Sequence, residues 1–410
     1  MPCAGWQRGS DEDADVRSRL HPTVLLMASA HMMVDGYGNI YAPLLPLLIP
    51  RLDLSLAAAG TLTMLFQIAA SVAQVGFGRL ADRWRPRLLV MAGPVVAVTL
   101  LSLIGLARSP AMLALILIAG GLGAAAFHPP AAALAHRLGG ERPGFAMSVY
   151  ITGGTLGFSL GPLMFAPFAQ RVGLEWTPVL ALPGLLVVGF FLTRVPPMPV
   201  HHSSRGRLAD LRPYARPLTL LYTIVVLRTL TSLAFATFVP VMLTRRGSSV
   251  AEAGAAVAIY LFASGLGGFL GGPAADRFGA RHVIVLSLLL SAPFMFAAAL
   301  ASGWAFLPLL AVGGFFLQST LPVNVTFGQS LAPVSAATVS SLMMGFAWGT
   351  GGLSVPIVGL IADRAGIEAT LAGLALVPVA AAACALPLPS RAPAHTFSRP
   401  AEVAIPEAGP

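Results

Sequence analysis

No lysine occurs anywhere in the 410-residue chain; all 25 basic residues are arginine. A Walker phosphate loop needs a lysine after its glycine-rich turn. ATP-driven transport by this chain is therefore excluded, and so is a retinal Schiff base, which also needs a lysine amine. Charge of either sign is scarce: 10% of residues are charged and 56% are hydrophobic. Soluble domains carry about 25% charged residues, so this is not a soluble domain. Cys3 and Cys384 are too few for a disulfide framework or a cysteine metal site. The polar start of the chain holds Asp11, Glu12, Asp13 and Asp15 and lacks the basic segment and short apolar core of a secretory signal. The first apolar helix is thus expected to be retained.

Long apolar runs are what the sequence has in quantity. A membrane helix needs about 20 apolar residues. Twelve such runs lie at 22–50, 56–79, 87–108, 111–137, 143–170, 175–194, 217–244, 250–275, 282–301, 304–330, 335–361 and 367–388. The pattern predicts an all-α integral membrane protein with twelve transmembrane helices. Its parts are a tail (1–21), a six-helix half (22–194), a polar linker (195–216), a second half (217–388) and a disordered Pro- and Ala-rich tail (389–410).

The net charge of +9 could suggest nucleic acid. Its distribution argues otherwise. Placed along the twelve runs, 18 arginines fall on the side of the termini and linker and six on the other, with Arg228 left inside a helix. Basic residues gather in cytoplasmic loops, so both termini and the linker are expected in the cytoplasm, and no nucleic-acid partner is expected.

The chain also repeats itself. A shift of 194 residues aligns Pro46 with Pro240, Arg51 with Arg245, Ser55 with Ser249, Gly60 with Gly254, and Asp82-Arg83 with Asp276-Arg277. Shifts of 193 and 195 continue the match to Gly120-Gly121 with Gly313-Gly314 and to GTLGFS (154–159) with GTGGLS (349–354). Two parallel six-helix repeats place a substrate site near the midplane between them.

The segments GRLADRWRPR (78–87) and GPAADRFGAR (272–281) occupy the same loop of each half. Both resemble the major facilitator superfamily loop signature, roughly G-x-x-x-D-R-x-G-R-R. The first copy departs from it with Arg85 at the glycine position and Pro86 at an arginine position. The resemblance implies a cytoplasmic gate built from Gly78, Asp82, Arg83, Arg87, Gly272, Asp276, Arg277 and Arg281. There the glycines would admit a close helix, and the carboxylates would cap helix N-termini or pair with arginine. The plainer account is that these arginines only set topology.

Three stretches, HMMVDGYGNIYAPLLP (31–46), SVAQVGFGRLADR (71–83) and FHPPAAALAHRL (127–138), resemble the fosmidomycin-resistance branch of that superfamily, which exports antibiotics. GGTLGFSLGP (153–162) partly resembles the glycine–proline motif of drug–proton antiporters. Gly157, Gly161 and Pro162 fit that motif, but Ser148 stands at its upstream glycine. The embedded GFSLG has the spacing of a hydrolase nucleophile, but that chemistry needs a strand and a sharp turn before a helix. Gly153, Gly157 and Gly161 instead make one small-residue helix face, and no enzymatic activity is expected.

Only Asp35 and Arg228 are strongly charged near the midplane. Each costs about 2.5–3.5 kcal/mol at a helix centre on insertion scales, so each needs a partner, water or neutralisation. The 194 shift maps Asp35 to Thr229, beside Arg228. Two readings follow: a static Asp35–Arg228 ion pair, or an Asp35 that takes and releases a proton. His31 and Asn39 lie one turn either side of Asp35 on the same face. His31 is the candidate to share a hydrogen bond or proton with Asp35. His128 lies mid-helix before Pro129-Pro130, whose break frees a carbonyl at the cavity, and is a candidate substrate or proton residue. Asn39, Arg228, Tyr150, Asn324 and Trp348 are the candidate substrate-cavity residues. No metal ligand set is expected.

The expected function is secondary transport without a cofactor, driven by the proton gradient, in a monomer of the inner or plasma membrane. Export of a small drug-like or anionic compound leads. The alternatives are proton-coupled uptake of an organic acid or sugar, and a membrane sensor on the same fold.

Overall fold

The computed structural model describes residues 22–140, 142–198, 208–332 and 336–389. The tail 1–21, the middle of the expected linker (199–207) and the tail from 390 lie outside the described residues. Eleven helices are long and apolar enough to cross a membrane. They are α2 (Leu56–Ala81), α3 (Pro86–Leu106), α4 (Pro110–Leu138), α5 (Gly144–Val172), α6 (Leu174–Leu192), α7 (Leu211–Arg245), α8 (Val250–Phe278), α9 (Ala280–Leu300), α10 (Gly303–Leu331), α11 (Thr338–Ala365) and α12 (Ile367–Ala385). The twelfth is the first, α1, which runs Pro22–Gly38 and resumes as Tyr41–Leu52. No strand occurs among the described residues, so the all-α twelve-helix architecture is as the sequence predicts.

The caps show why the helices begin where they do. Ser55 and Ser249, which the repeat pairs, stand at the N-termini of α2 and α8. Each accepts a backbone N–H three residues on, and Glu252 completes a capping box at Ser249.

Small residues draw the helices together. Lipid gives no hydrophobic drive between helices, so close van der Waals packing has to supply it. Gly153, Gly157 and Gly161 on α5 lie against the backbone of Ala28, Met32 and Gly36 on α1, with no room for a Cβ. Gly351 on α11 lies against Thr229 and Leu230 on α7, the corresponding crossing in the second half. GFSLG is therefore part of a helix-packing face.

The halves join at the end of the bundle remote from Pro22, where α1 starts. Asp363, in the last turns of α11, accepts from Leu56 N (2.9 Å) and Ala57 N (3.0 Å) at the start of α2. Gln170, in the last turn of α5, accepts from Ala251 N at the start of α8 (2.7 Å). Gly60 and Gly359 bring α2 and α11 into backbone contact just inside this seam. At the other end, Gly272 faces open space, with nothing within 4 Å of a Cβ built on it. The expectation that Gly272 admits a close helix is thus corrected for this conformation, whose seam is closed on the opposite side.

Candidate functional site

The site in the first half begins with the break in α1. Asn39 N bonds Gly36 O (3.2 Å), three residues back, and the Asn39 side chain takes up the free Asp35 carbonyl (3.0 Å). Asn39 thus ends the first segment of α1 one turn beyond Asp35, and the Asp35 side chain lies buried between helices.

Asp35 is held by two histidines. His31 Nε2, one turn earlier, lies 3.1 Å from Asp35 Oδ2. His128 Nε2, on α4, lies 3.0 Å from Asp35 Oδ1. His31 Nδ1 is 2.8 Å from the Tyr150 carbonyl on α5. The Tyr150 ring stacks on the His31 ring with centroids 4.1 Å apart and planes 17° apart. Four side chains singled out in the sequence, His31, Asp35, His128 and Tyr150, thus meet where α1, α4 and α5 converge. The two imidazoles and the carboxylate put three ligand atoms within 4.8 Å of one another, compact enough to admit a small cation.

Gly154 is a member of this site that the sequence reading passed over. A Cβ there would lie 2.5 Å from Asp35 Oδ2 and 2.6 Å from His31 Nε2. The signal was the doubled glycine in GGTLGFSLGP: Gly153 serves the α1 packing face, and its neighbour is rotated about 100° toward the histidine.

The second half holds a separate centre. Arg228 on α7 is 1% exposed. It donates to Gln318 Oε1 on α10 and to Thr229 Oγ1 (3.1 Å), and its guanidinium lies 5.5 Å from the centre of the Trp348 ring on α11. Its Nε has no partner, and neither amide atom of the fully buried Asn324 on α10 has one. The static Asp35–Arg228 pair is not formed: among the described residues Asp35 contacts histidines, and Arg228 contacts neutral acceptors and an aromatic face. The physical reason is azimuth. The repeat maps Asp35 to Thr229, and Arg228 sits one residue off, rotated about 100° around α7.

The loop residues expected to form a gate lie far apart in role. Gly78 is buried in α2, and Asp82 follows at its end. Arg83 and Arg87 are exposed, and Arg87 reaches the Val195 carbonyl at the end of the first half (3.2 Å). Asp276 and Arg277 are exposed at the end of α8, with Arg277 over the Phe278 ring (5.2 Å), and Arg281 opens α9 half-buried.

Comparison with known proteins adds family evidence to this geometry. The family model described as Major Facilitator Superfamily matches residues 27–248 and 220–406. An uncharacterized MFS-type transporter, YfnC of Bacillus subtilis, is 28% identical over 88% of this chain and 91% of its own. The fosmidomycin resistance protein of Escherichia coli is 28% identical over 85% of this chain and 88% of its own. Among solved structures, a bacterial homolog of the human lysosomal transporter Spinster, inward-facing and occupied, superposes with a TM-score of 0.74. That match covers 88% of this chain and 95% of the other at 19% identity, which shows the fold alone.

Proposed function

The chain belongs to the Major Facilitator Superfamily, and we propose that it is a proton-coupled exporter of a small drug-like or anionic compound. It works by alternating access between its two halves, in a multi-pass arrangement with both termini in the cytoplasm. The observation that carries this reading is the buried Asp35 carboxylate between the imidazoles of His31 and His128. A carboxylate in the membrane is costly unless it is paired or neutralised. Imidazoles exchange protons in the physiological range, so this set can load and release a proton as the cavity changes side. Arg228 supplies the complementary element. A guanidinium without a carboxylate partner can fork onto a phosphonate or carboxylate through two parallel bonds. Asn324 and Trp348 lie in the same half and complete the substrate side. Similarity to a fosmidomycin resistance protein supports export over uptake.

The test is expression in an efflux-deficient bacterium challenged with a panel of antibiotics including fosmidomycin. Raised resistance that Asp35→Asn or Arg228→Ala abolishes is expected. No shift for any compound, together with inward accumulation of an organic acid, overturns the reading.

A further inference from the structure

The donors and acceptors around Asp35 do not balance without one added proton. A backbone carbonyl can only accept, so His31 Nδ1, 2.8 Å from the Tyr150 carbonyl, carries a hydrogen. In a neutral ring that is the only N–H, which leaves Nε2 bare at 3.1 Å from Asp35 Oδ2. Two acceptors at that distance repel. His128 Nε2 meets Asp35 Oδ1 with its own N–H at 3.0 Å. The His31–Asp35 contact therefore holds a proton beyond those of two neutral imidazoles and a carboxylate. A second added proton would sit on His128 Nδ1, which is buried without a partner, so the set stops at one.

Two residues of α5 impose this arrangement. Gly154 lies one turn after Tyr150 and leaves the space through which His31 reaches the Tyr150 carbonyl; any Cβ would press on both His31 and Asp35. The Tyr150 ring lies flat on the imidazole at 4.1 Å and keeps it from turning over, and an aromatic face also favours a cation above it. The Tyr150 hydroxyl is buried and makes no bond, so the ring and the carbonyl are the parts that act.

We propose that Tyr150 and Gly154 are positioning residues that fix His31 as its Nδ1–H form, and that the cluster is thereby a one-proton site. Its exchangeable proton lies between His31 Nε2 and Asp35 Oδ2. This deepens the proton-coupled reading above and rests on it. The titratable groups that face this proton are Asp35 on α1, His128 from α4 and Tyr150 from α5. While the proton is in place, an unbroken path runs from Tyr150 through His31 and Asp35 to His128, tying α5, α1 and α4 together. Its loss opens the His31–Asp35 contact and cuts that path.

The experiment is a pH titration of the full chain in nanodiscs, labelled with ¹⁵N-histidine, with the His31 signals assigned by their disappearance in His31→Gln. It uses no transported compound, so its failure is distinct from failure of the export reading. The expected result is one single-proton step, from a ring protonated on both nitrogens to a ring protonated on Nδ1 alone. In Asp35→Asn, the new amide N–H can donate to a bare Nε2, so His31 should stay neutral as Nδ1–H throughout. Tyr150→Phe should leave the step in place. Tyr150→Leu and Gly154→Ala should displace it by about tenfold in proton concentration or abolish it. An Nε2–H ring after deprotonation, a two-proton step, or an unaltered step in both Asp35→Asn and Tyr150→Leu overturns the proposal.

Discussion

His128 Nε2 on α4 lies 3.0 Å from Asp35 Oδ1 on α1, so this buried carboxylate is tied across two helices. Replacing His128 by alanine leaves that oxygen buried without its donor. An unsatisfied buried polar group costs about 1–3 kcal/mol, more if charged. His128→Ala is therefore expected to lower thermal stability in detergent and to abolish proton-coupled transport. His128→Gln keeps an N–H donor to Asp35 Oδ1 and leaves the His31–Asp35 proton site in place, so it should recover most of the stability and most of the coupling. Melting curves and proteoliposome proton fluxes on the two variants check both halves of this expectation.

The contrast between His128 and Arg228 shows what the sequence could and could not convey. Twelve spans and their duplication were readable because hydropathy and a fixed shift are one-dimensional properties. The i,i+4 contact of His31 with Asp35 was readable because a single helix sets it. The partner on another helix was not. A repeat gives depth along a helix but places a neighbour 100° off only if the exact register is used, and Arg228 is one residue away from the mate of Asp35. Asn39 shares the Asp35 face by its spacing, but its bond to the Asp35 carbonyl depends on the break in α1 between Gly38 and Tyr41, whose exact place spacing does not set.

Arg228 makes a second prediction, in which stability and function move in opposite directions. It is buried against Gln318, Thr229 and Trp348 without a carboxylate. A buried charge with no counter-charge carries a desolvation cost that an apolar side chain of similar size does not. Arg228→Met should therefore melt at the same temperature or higher while losing transport of an anionic compound. Arg228→Lys keeps the charge without the planar fork, and should raise the KM for such a compound about tenfold. A parallel loss of stability and transport in Arg228→Met would show the arginine to be structural instead.

The seam at the far end makes a third prediction. Asp363 accepts two backbone N–H groups at the first turn of α2, a position where a carboxylate also meets the helix dipole. Asp363 is exposed, so the pair of bonds contributes about 1 kcal/mol after solvent screening. That is enough to change the ratio of two conformations about fivefold. Spin labels on Asp53→Cys and Arg364→Cys should show a longer-distance population that grows in Asp363→Ala. Gln170→Ala removes one neutral bond at the α5–α8 seam and should have the smaller effect.

The loop between α2 and α3 makes the last prediction. Arg85 has φ 34° and ψ 61°, in the left-handed region. Its repeat mate Gly279 also has positive φ, at 88°. Both copies of the loop thus turn through a conformation suited to glycine, and only the second copy has one. A left-handed residue with a Cβ costs about 1–2 kcal/mol. The Arg85 guanidinium recovers part of this by lying 5.9 Å from the Trp84 ring centre, a contact worth about 0.5 kcal/mol at an exposed site. Arg85→Gly should therefore stabilise the protein by about 1 kcal/mol, and Gly279→Ala, at φ 88° and ψ 138° where essentially only glycine sits, should destabilise it by about 1–3 kcal/mol. Neither side chain touches the Asp35 or Arg228 centres, so both variants should retain transport. Urea or thermal unfolding of the pair in detergent measures the two shifts, and shifts of the same sign would rule out backbone strain as their cause.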